Sequence, residues 1–184
     1  MKTGLYGNRK CVYIDTQPVF DGIMDGMLKS GRENGYKIGL DVETSMYSKI
    51  PKLYLIQVTT RSHNLIFDPL KIDISKFRLI LSEPNILKII HNASFEKKVF
   101  KGIGYQINNI YDTMMESRKL FKNEKSHSLK NVVYRELNLE ISKKYQTSKW
   151  NRRPLLEGQL KYAYMDSEMI YLLHDKWVEG KEIL

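Results

Sequence analysis

Residues 36–68 carry the pattern that most narrows the fold. In YKIGLDVET (36–44), Ile38, Leu40 and Val42 alternate with Gly39, Asp41 and Glu43. That is the two-residue period of a strand with one face turned to a core. A second apolar run, LYLIQVTT (53–60), follows, and the polar turn RSHN (61–64) leads into a third, LIFD (65–68). Three such runs in succession predict a β-meander. The unusual feature is the other face of the first run, where two carboxylates stand side by side on an otherwise apolar strand.

The flanks extend this frame. CVYID (11–15) predicts a short strand, and Pro18 fits the first turn of a helix over PVFDGIMDGMLKSG that ends near Gly31. Downstream, ISKFRLILS (74–82) predicts a helix stopped before Pro84. NILKIIH (85–91) predicts a buried strand, and SFEKKVFKGIG (94–104) a helix ending in glycine. Beyond Asp112 the chain reads as almost wholly helical. The best candidates there are 113–121, 128–137 and 156–178, with Pro154 at the start of the last. Asp112 reads as the N-cap of the first. A meander, then β/α alternation, then a helical C-terminal third predicts an α/β fold with a central mixed sheet flanked by helices. No internal repeat, low-complexity stretch or linker divides the 184 residues, so one domain is expected over 1–184 with no further helical module.

Composition bounds the partners. Lys and Arg number 30 against 21 Asp and Glu, a formal charge of +9. Such a surplus favours a polyanionic partner through phosphate neutralisation, with a solvated lysine-rich surface as the plainer alternative. Cys11 is the only cysteine, which excludes an intrachain disulfide and a Cys-based zinc cluster. No apolar run approaches the ~18 residues of a membrane span. The start, MKTGLYGNRK, lacks the apolar core of a signal peptide. The expectation is a cytoplasmic protein without a membrane partner.

The acidic pair has company further along. Tyr162 and Asp166 are spaced i, i+4 in LKYAYMDSEMIYLL and share one helix face. Glu96 lies in the first turn of the helix after NILKIIH, with His91 and Asn92 just before it. Together they predict that Asp41, Glu43, Glu96 and Asp166 converge. Four carboxylates in one cleft would repel each other and take up protons. Divalent cations remove that conflict, and all-carboxylate sites suit Mg²⁺ or Mn²⁺. Two such ions ~4 Å apart can clamp both oxygens of a phosphoryl displacement. Each piece alone has a plainer reading. Glu96 could simply favour a helix N-terminus, and Tyr162 and Asp166 could be a core-edge tyrosine and a solvated aspartate.

These residues resemble the motifs of the DEDD-type 3′–5′ exonucleases, in the ribonuclease D branch that carries a tyrosine in its third motif. LDVET matches the first motif, HNASFE the second and YAYMD the third. LIQ (55–57), YDTM (111–114) and SLKNVVYRELNLEISK are also ribonuclease D-like. SKWNRRPLLEGQLKYAYMD follows the family's S-x-W-x-x-R-P-L-x-x-x-Q-x-x-Y-A-x-x-D closely. The resemblance runs from about residue 36 to 178. It implies a ribonuclease H-like fold whose first three strands are antiparallel. It also implies hydrolysis of terminal phosphodiesters at a free 3′ end, releasing nucleoside 5′-monophosphates with two divalent cations, Mg²⁺ or Mn²⁺. The single-stranded 3′ end of a nucleic acid is the implied partner, RNA favoured over DNA.

By that resemblance, Asp41, Glu43, Glu96 and Asp166 are the implied metal ligands and Tyr162 orients the attacking water. Thr44 and Met46 would lie beside the terminal nucleotide, and Asn92 and Phe95 beside the penultimate one, with Phe95 a stacking face. The plainer readings are core filling for Met46 and packing against Val99 for Phe95. His91 joins this set, although a structural role fits it better. Lys149, Arg152 and Arg153 could contact phosphates or steer the third motif into place, and Trp150 could stack on a base, although anchoring that loop in the core fits it better. Lys97–Lys98 and Lys143–Lys144 read as solvated. One departure stands out: Glu96 occupies a position where the family has Asp, one methylene or ~1.5 Å longer. It keeps open a second reading, a metal-impaired nucleic-acid-binding adaptor. The resemblance extends to small single-domain members that degrade very short oligonucleotides, some of which form rings, so a homo-oligomer is open.

Overall fold

The computed structural model describes residues 2–3, 9–45 and 51–180. Among the described residues, seven strands form one sheet in the order β1-β2-β5-β4-β3-β6-β7. They are β1 (Lys2–Thr3), β2 (Lys10–Ile14), β3 (Tyr36–Thr44), β4 (Leu53–Thr59), β5 (His63–Phe67), β6 (Ile86–Ile90) and β7 (Ile110–Asp112). The helices are α1 (Gln17–Asn34), α2 (Phe77–Ser82), α3 (Ala93–Gly102), α4 (Thr113–Leu120), α5 (Leu129–Leu137) and α6 (Glu157–Glu179). β3, β4 and β5 are the expected antiparallel meander. β6 joins β3 in parallel, β7 joins β6 in parallel, and β2 joins β5 in parallel, which makes the sheet mixed.

The alternation in β3 sorts the two layers. Ile38, Leu40 and Val42 face the main core, with Phe20 and Met24 of α1, Phe77 and Ile80 of α2, and Val99 and Phe100 of α3. Burying each such side chain contributes about 1.5–3 kcal/mol. The opposite face carries Gly39, Asp41 and Glu43 and is covered by α6, whose Ser167 carbonyl and Tyr171 side chain lie against Gly39. α5 packs on α6 through Val132, Val133 and Leu137 against Met165, Met169 and Leu173. No helix among the described residues is long and apolar enough to cross a membrane.

Three local expectations change. α1 runs past Gly31 to Asn34, and Gly35 at φ 70 is its C-cap. Gly31 serves packing instead, because a Cβ there would lie 2.6 Å from Ile86 Cγ1. α2 starts at Phe77, three residues later than the apolar period suggested. Residues 138–156 are turns and irregular chain, not helix, and α6 begins at Glu157, beyond Pro154. Gln159 organises that start: its Oε1 accepts from Leu156 N (2.9 Å), and its Nε2 donates to Ser148 Oγ (2.9 Å) and the Lys149 carbonyl (3.3 Å). Asp112 is the N-cap of α4, accepting from Met114 N and Met115 N. It also accepts from Asn92 N and Ala93 N, so one carboxylate joins the starts of α3 and α4.

Candidate active site

β3 and α6 bring three acids together. One carboxylate oxygen from each of Asp41, Glu43 and Asp166 lies within 4.8 Å of the others. Asp41 and Glu43 share the α6-facing side of β3 by the two-residue period. Asp166 arrives because α6 sits directly on Gly39, with the Ser167 carbonyl against that glycine. Gln57, opposite Asp41 on β4 and fully buried, donates from Nε2 to Glu43 Oε1 at 3.4 Å. Tyr162, one turn before Asp166, hydrogen-bonds the Asp166 carboxylate and packs on the buried Trp150 ring at 6.0 Å. The group opens onto a cleft of about 220 Å³ that His91, Lys130 and Lys143 also line.

The electrostatics match this crowding. Burial pushes the Asp41 carboxyl up to about 6. Burial, then the charges of Asp41 and Asp166, raises Glu43 well above the usual carboxylate range. Asp166 is raised by burial and by Asp41, against the Tyr162 hydrogen bond. Burial and the neighbouring acids hold the Tyr162 phenol far above its ordinary value, so it stays protonated as a donor.

Glu96 neighbours Asp41 but is not a member of this tight group, where convergence of four acids was expected. Its carboxylate is outside the tight set of three. It is 3% exposed, and its Oε2 has no hydrogen-bond partner among the described residues. Burial raises its pKa, and the charge of Asp41 raises it further, so the two carboxylates still sense each other. The α3 start that carries Glu96 is set by Asn92 in the left-handed region at φ 70, held by Asp112.

The remaining expectations divide. Thr44 sits half-buried at a register shift that begins after Glu43. Met46 lies outside the described residues. Asn92 is exposed, and its Oδ1 accepts from Ser94 Oγ at 2.8 Å. Phe95 is 39% exposed, so it is not packed away against the buried Val99. His91 lines the cleft, but both ring nitrogens are engaged, with Thr113 Oγ1 (2.9 Å) and the His127 carbonyl (3.0 Å). Burial lowers its pKa to about 4, so it is neutral at pH 7. Lys149 is exposed.

Arg153 corrects the phosphate-contact expectation. Its Nε and Nη2 donate to the two oxygens of Asp68, each at 2.5 Å. Nη1 donates to the carbonyls of Trp150 (2.8 Å) and Arg152 (2.6 Å), and Nη2 also to Tyr54 O (3.0 Å). All five guanidinium N–H groups are thereby engaged. Arg153 is a clamp on the 138–156 segment, the second of its two readings, and Trp150 is the core anchor. Conversely, Lys143 and Gln146, together with Lys130 at the start of α5, line the cleft. Lys143 is exposed, as its charge run suggests, and the path of the irregular segment also brings it to the cleft wall.

A mixed sheet of this order, with acids from a central strand and a covering helix meeting at one cleft, defines the ribonuclease H-like class of α/β proteins. The sequence profile of the 3′–5′ exonuclease family matches residues 12–179, and the chain belongs to that family. Ribonuclease D of Haemophilus influenzae is 36% identical over 149 residues, covering 79% of this chain and 37% of that protein. Human exosome complex component 10 is 31% identical over 147 residues, covering 78% of this chain and 16% of that protein. The chain thus spans well under half the length of either relative. The crystal structure of Escherichia coli RNase D superposes with a TM-score of 0.80 at 25% identity, over 91% of this chain and 44% of that one.

Proposed function

We propose that this protein is a divalent-cation-dependent 3′–5′ exoribonuclease that shortens single-stranded RNA from its free 3′ end, releasing nucleoside 5′-monophosphates. The observation that carries the reading is the meeting of Asp41, Glu43 and Asp166 carboxylate oxygens within 4.8 Å of one another. That donor set fits hard cations. It is all oxygen, and it buries like charges whose repulsion a cation relieves. Asp41, Glu43 and Asp166 would hold one ion, and Glu96, beside Asp41 with an unpartnered buried oxygen, would contribute toward a second. Bound Mg²⁺ or Mn²⁺ supplies activation of water and stabilisation of charge on the leaving 3′ oxygen.

The chain's own groups do the rest. Tyr162 keeps its proton and orients water beside Asp166. Neutral His91 is held by Thr113 and His127 and supports the cleft wall. Lys143 and Lys130 line the same cleft as the acids and would add positive charge for an entering phosphate. Thr44, Asn92, Phe95 and Lys149 are exposed or half-buried and remain available to substrate. The names of the relatives, ribonuclease D and an exosome component, support RNA as the polymer. Action on RNA 3′ ends in the cytoplasm completes the reading.

The test is 5′-labelled single-stranded RNA of two to twenty nucleotides, incubated with Mn²⁺ or Mg²⁺ beside Asp166→Asn and beside matched DNA. A 3′-shortening ladder that the variant lacks is the expected result. The position of Glu96 outside the tight group favours one other reading, an adaptor that binds the strand without cutting it, and binding with no ladder would establish that instead.

A further inference from the structure

The exposed face of α3 carries charge that the cleft does not use. Lys97, Lys98 and Lys101 are all exposed, and none makes an ion pair among the described residues. The helix has one acid, Glu96, and it is buried toward the site. Lys97 and Lys101, at i and i+4, line a surface groove with Tyr105 and Gln106. Phe95, Lys98 and Lys101 fall three apart and wind along the same open face. α3 starts at Ala93, two residues after His91, which lines the cleft, so the helix leads away from the cleft. From Phe95 to Lys101 the helix rises ~9 Å at 1.5 Å per residue. A stacked strand rises 3.4 Å per nucleotide, so that length spans two to three nucleotides.

A favourable interaction with the helix C-terminus accounts for Lys101, but not for Lys97 and Lys98 together or for the groove. We infer that the Lys97–Lys101 face of α3 with its Tyr105 groove binds the phosphate backbone of the strand upstream of the scissile end, two to four nucleotides 5′ of the cleaved residue. This inference rests on the exonuclease reading for its direction, and its consequence is length selection. Substrates too short to reach the groove gain nothing from it, whereas a longer strand is held.

The experiment compares the parent with Lys97→Ala/Lys101→Ala, a Lys97→Arg/Lys101→Arg variant, and a Lys29→Ala/Lys71→Ala control that removes equal charge elsewhere. Binding of a fluorescein-labelled 12-nucleotide RNA is followed by anisotropy across a salt series, with Asp166→Asn added to each protein to block turnover. Single-strand contacts contribute a slope of about −0.7 per phosphate. The alanine pair should therefore flatten log K against log[salt] by about 1.4 and weaken binding about 25-fold at 0.1 M salt. The arginine pair and the distant control should keep the parent slope. With Asp166 intact, turnover of a dinucleotide should be unchanged while KM for the 12-mer rises. An unchanged slope overturns the inference, as does equal loss on dinucleotide and 12-mer, or an equal effect from the distant control. Absence of any turnover would refute the exonuclease reading and leave the binding series to decide the groove.

Discussion

Gly39 gives the sharpest test of how the site is assembled. A Cβ added there would lie 2.3 Å from the Ser167 carbonyl oxygen of α6 and 3.2 Å from Tyr171 Cβ. Ordinary contact starts at 3.4 Å, so Gly39→Ala requires the α6 backbone to withdraw by 3.4 − 2.3 = 1.1 Å. Ser167 follows Asp166 directly, so the displacement carries Asp166 away from Asp41 and Glu43. Misplacement by about 1 Å costs on the order of 10²-fold in rate. Overpacking costs about 1–3 kcal/mol, partly offset by ~0.4–1 kcal/mol from a less flexible unfolded chain. The expected variant is folded but less stable, with kcat on single-stranded RNA down about 100-fold and Mn²⁺ affinity, measured by calorimetry, reduced. Gly26→Ala on α1, where a Cβ meets nothing within 4 Å, should instead stabilise by about 0.5–1 kcal/mol without touching activity. A Gly39→Ala protein with wild-type melting, Mn²⁺ affinity and kcat would refute the claim that close approach at this glycine sets the acid cluster.

Removing Arg153 should act through stability first. Arg153→Ala leaves the fully buried Asp68 without its bidentate partner, an expected loss of about 3–5 kcal/mol in urea unfolding. Arg153→Lys should recover only part of it, because an ammonium cannot make the five-donor fork. A pH series should separate this pair from the site acids. Asp68 is held below the usual range because the Arg153 and Tyr13 hydrogen bonds outweigh its burial, so its contribution is present above about pH 4 and is lost as pH falls through the lowered value. Asp41 runs the other way. Its folded value near 6 exceeds the unfolded ~3.9, so the native state binds more protons between them and stability falls as pH rises through 6. Thermal melts of the metal-free protein should therefore decline from pH 5 to pH 7.5. Added Mn²⁺ should raise the melting temperature more at pH 7.5 than at pH 5, and an equal shift at both would contradict this account.

Local periodicity made much of this molecule legible in its residues. Ile38, Leu40 and Val42 had to share one face of β3, so Asp41 and Glu43 had to share the other. Tyr162 and Asp166 were neighbours by helical spacing before α6 was placed, and Asp112 was bound to cap whatever followed it. Each of those inferences needs only the geometry of a single element. Packing decided the rest. Gly31 and Gly35 look alike as helix stops, and the proximity of Ile86 assigns the first to close approach and the second to the cap. Arg153 turned inward because folding sets the ends of β2 and β5, with Tyr13 and Asp68, beneath it. Lys143 reached the cleft because an irregular segment carried it there, and Glu96 stayed outside the tight trio because α3 starts beyond the end of β6, whose place beside β3 no residue of β3 alone specifies. Which groups face one another across elements depends on surfaces far apart in the chain, and no local spacing encodes those distances.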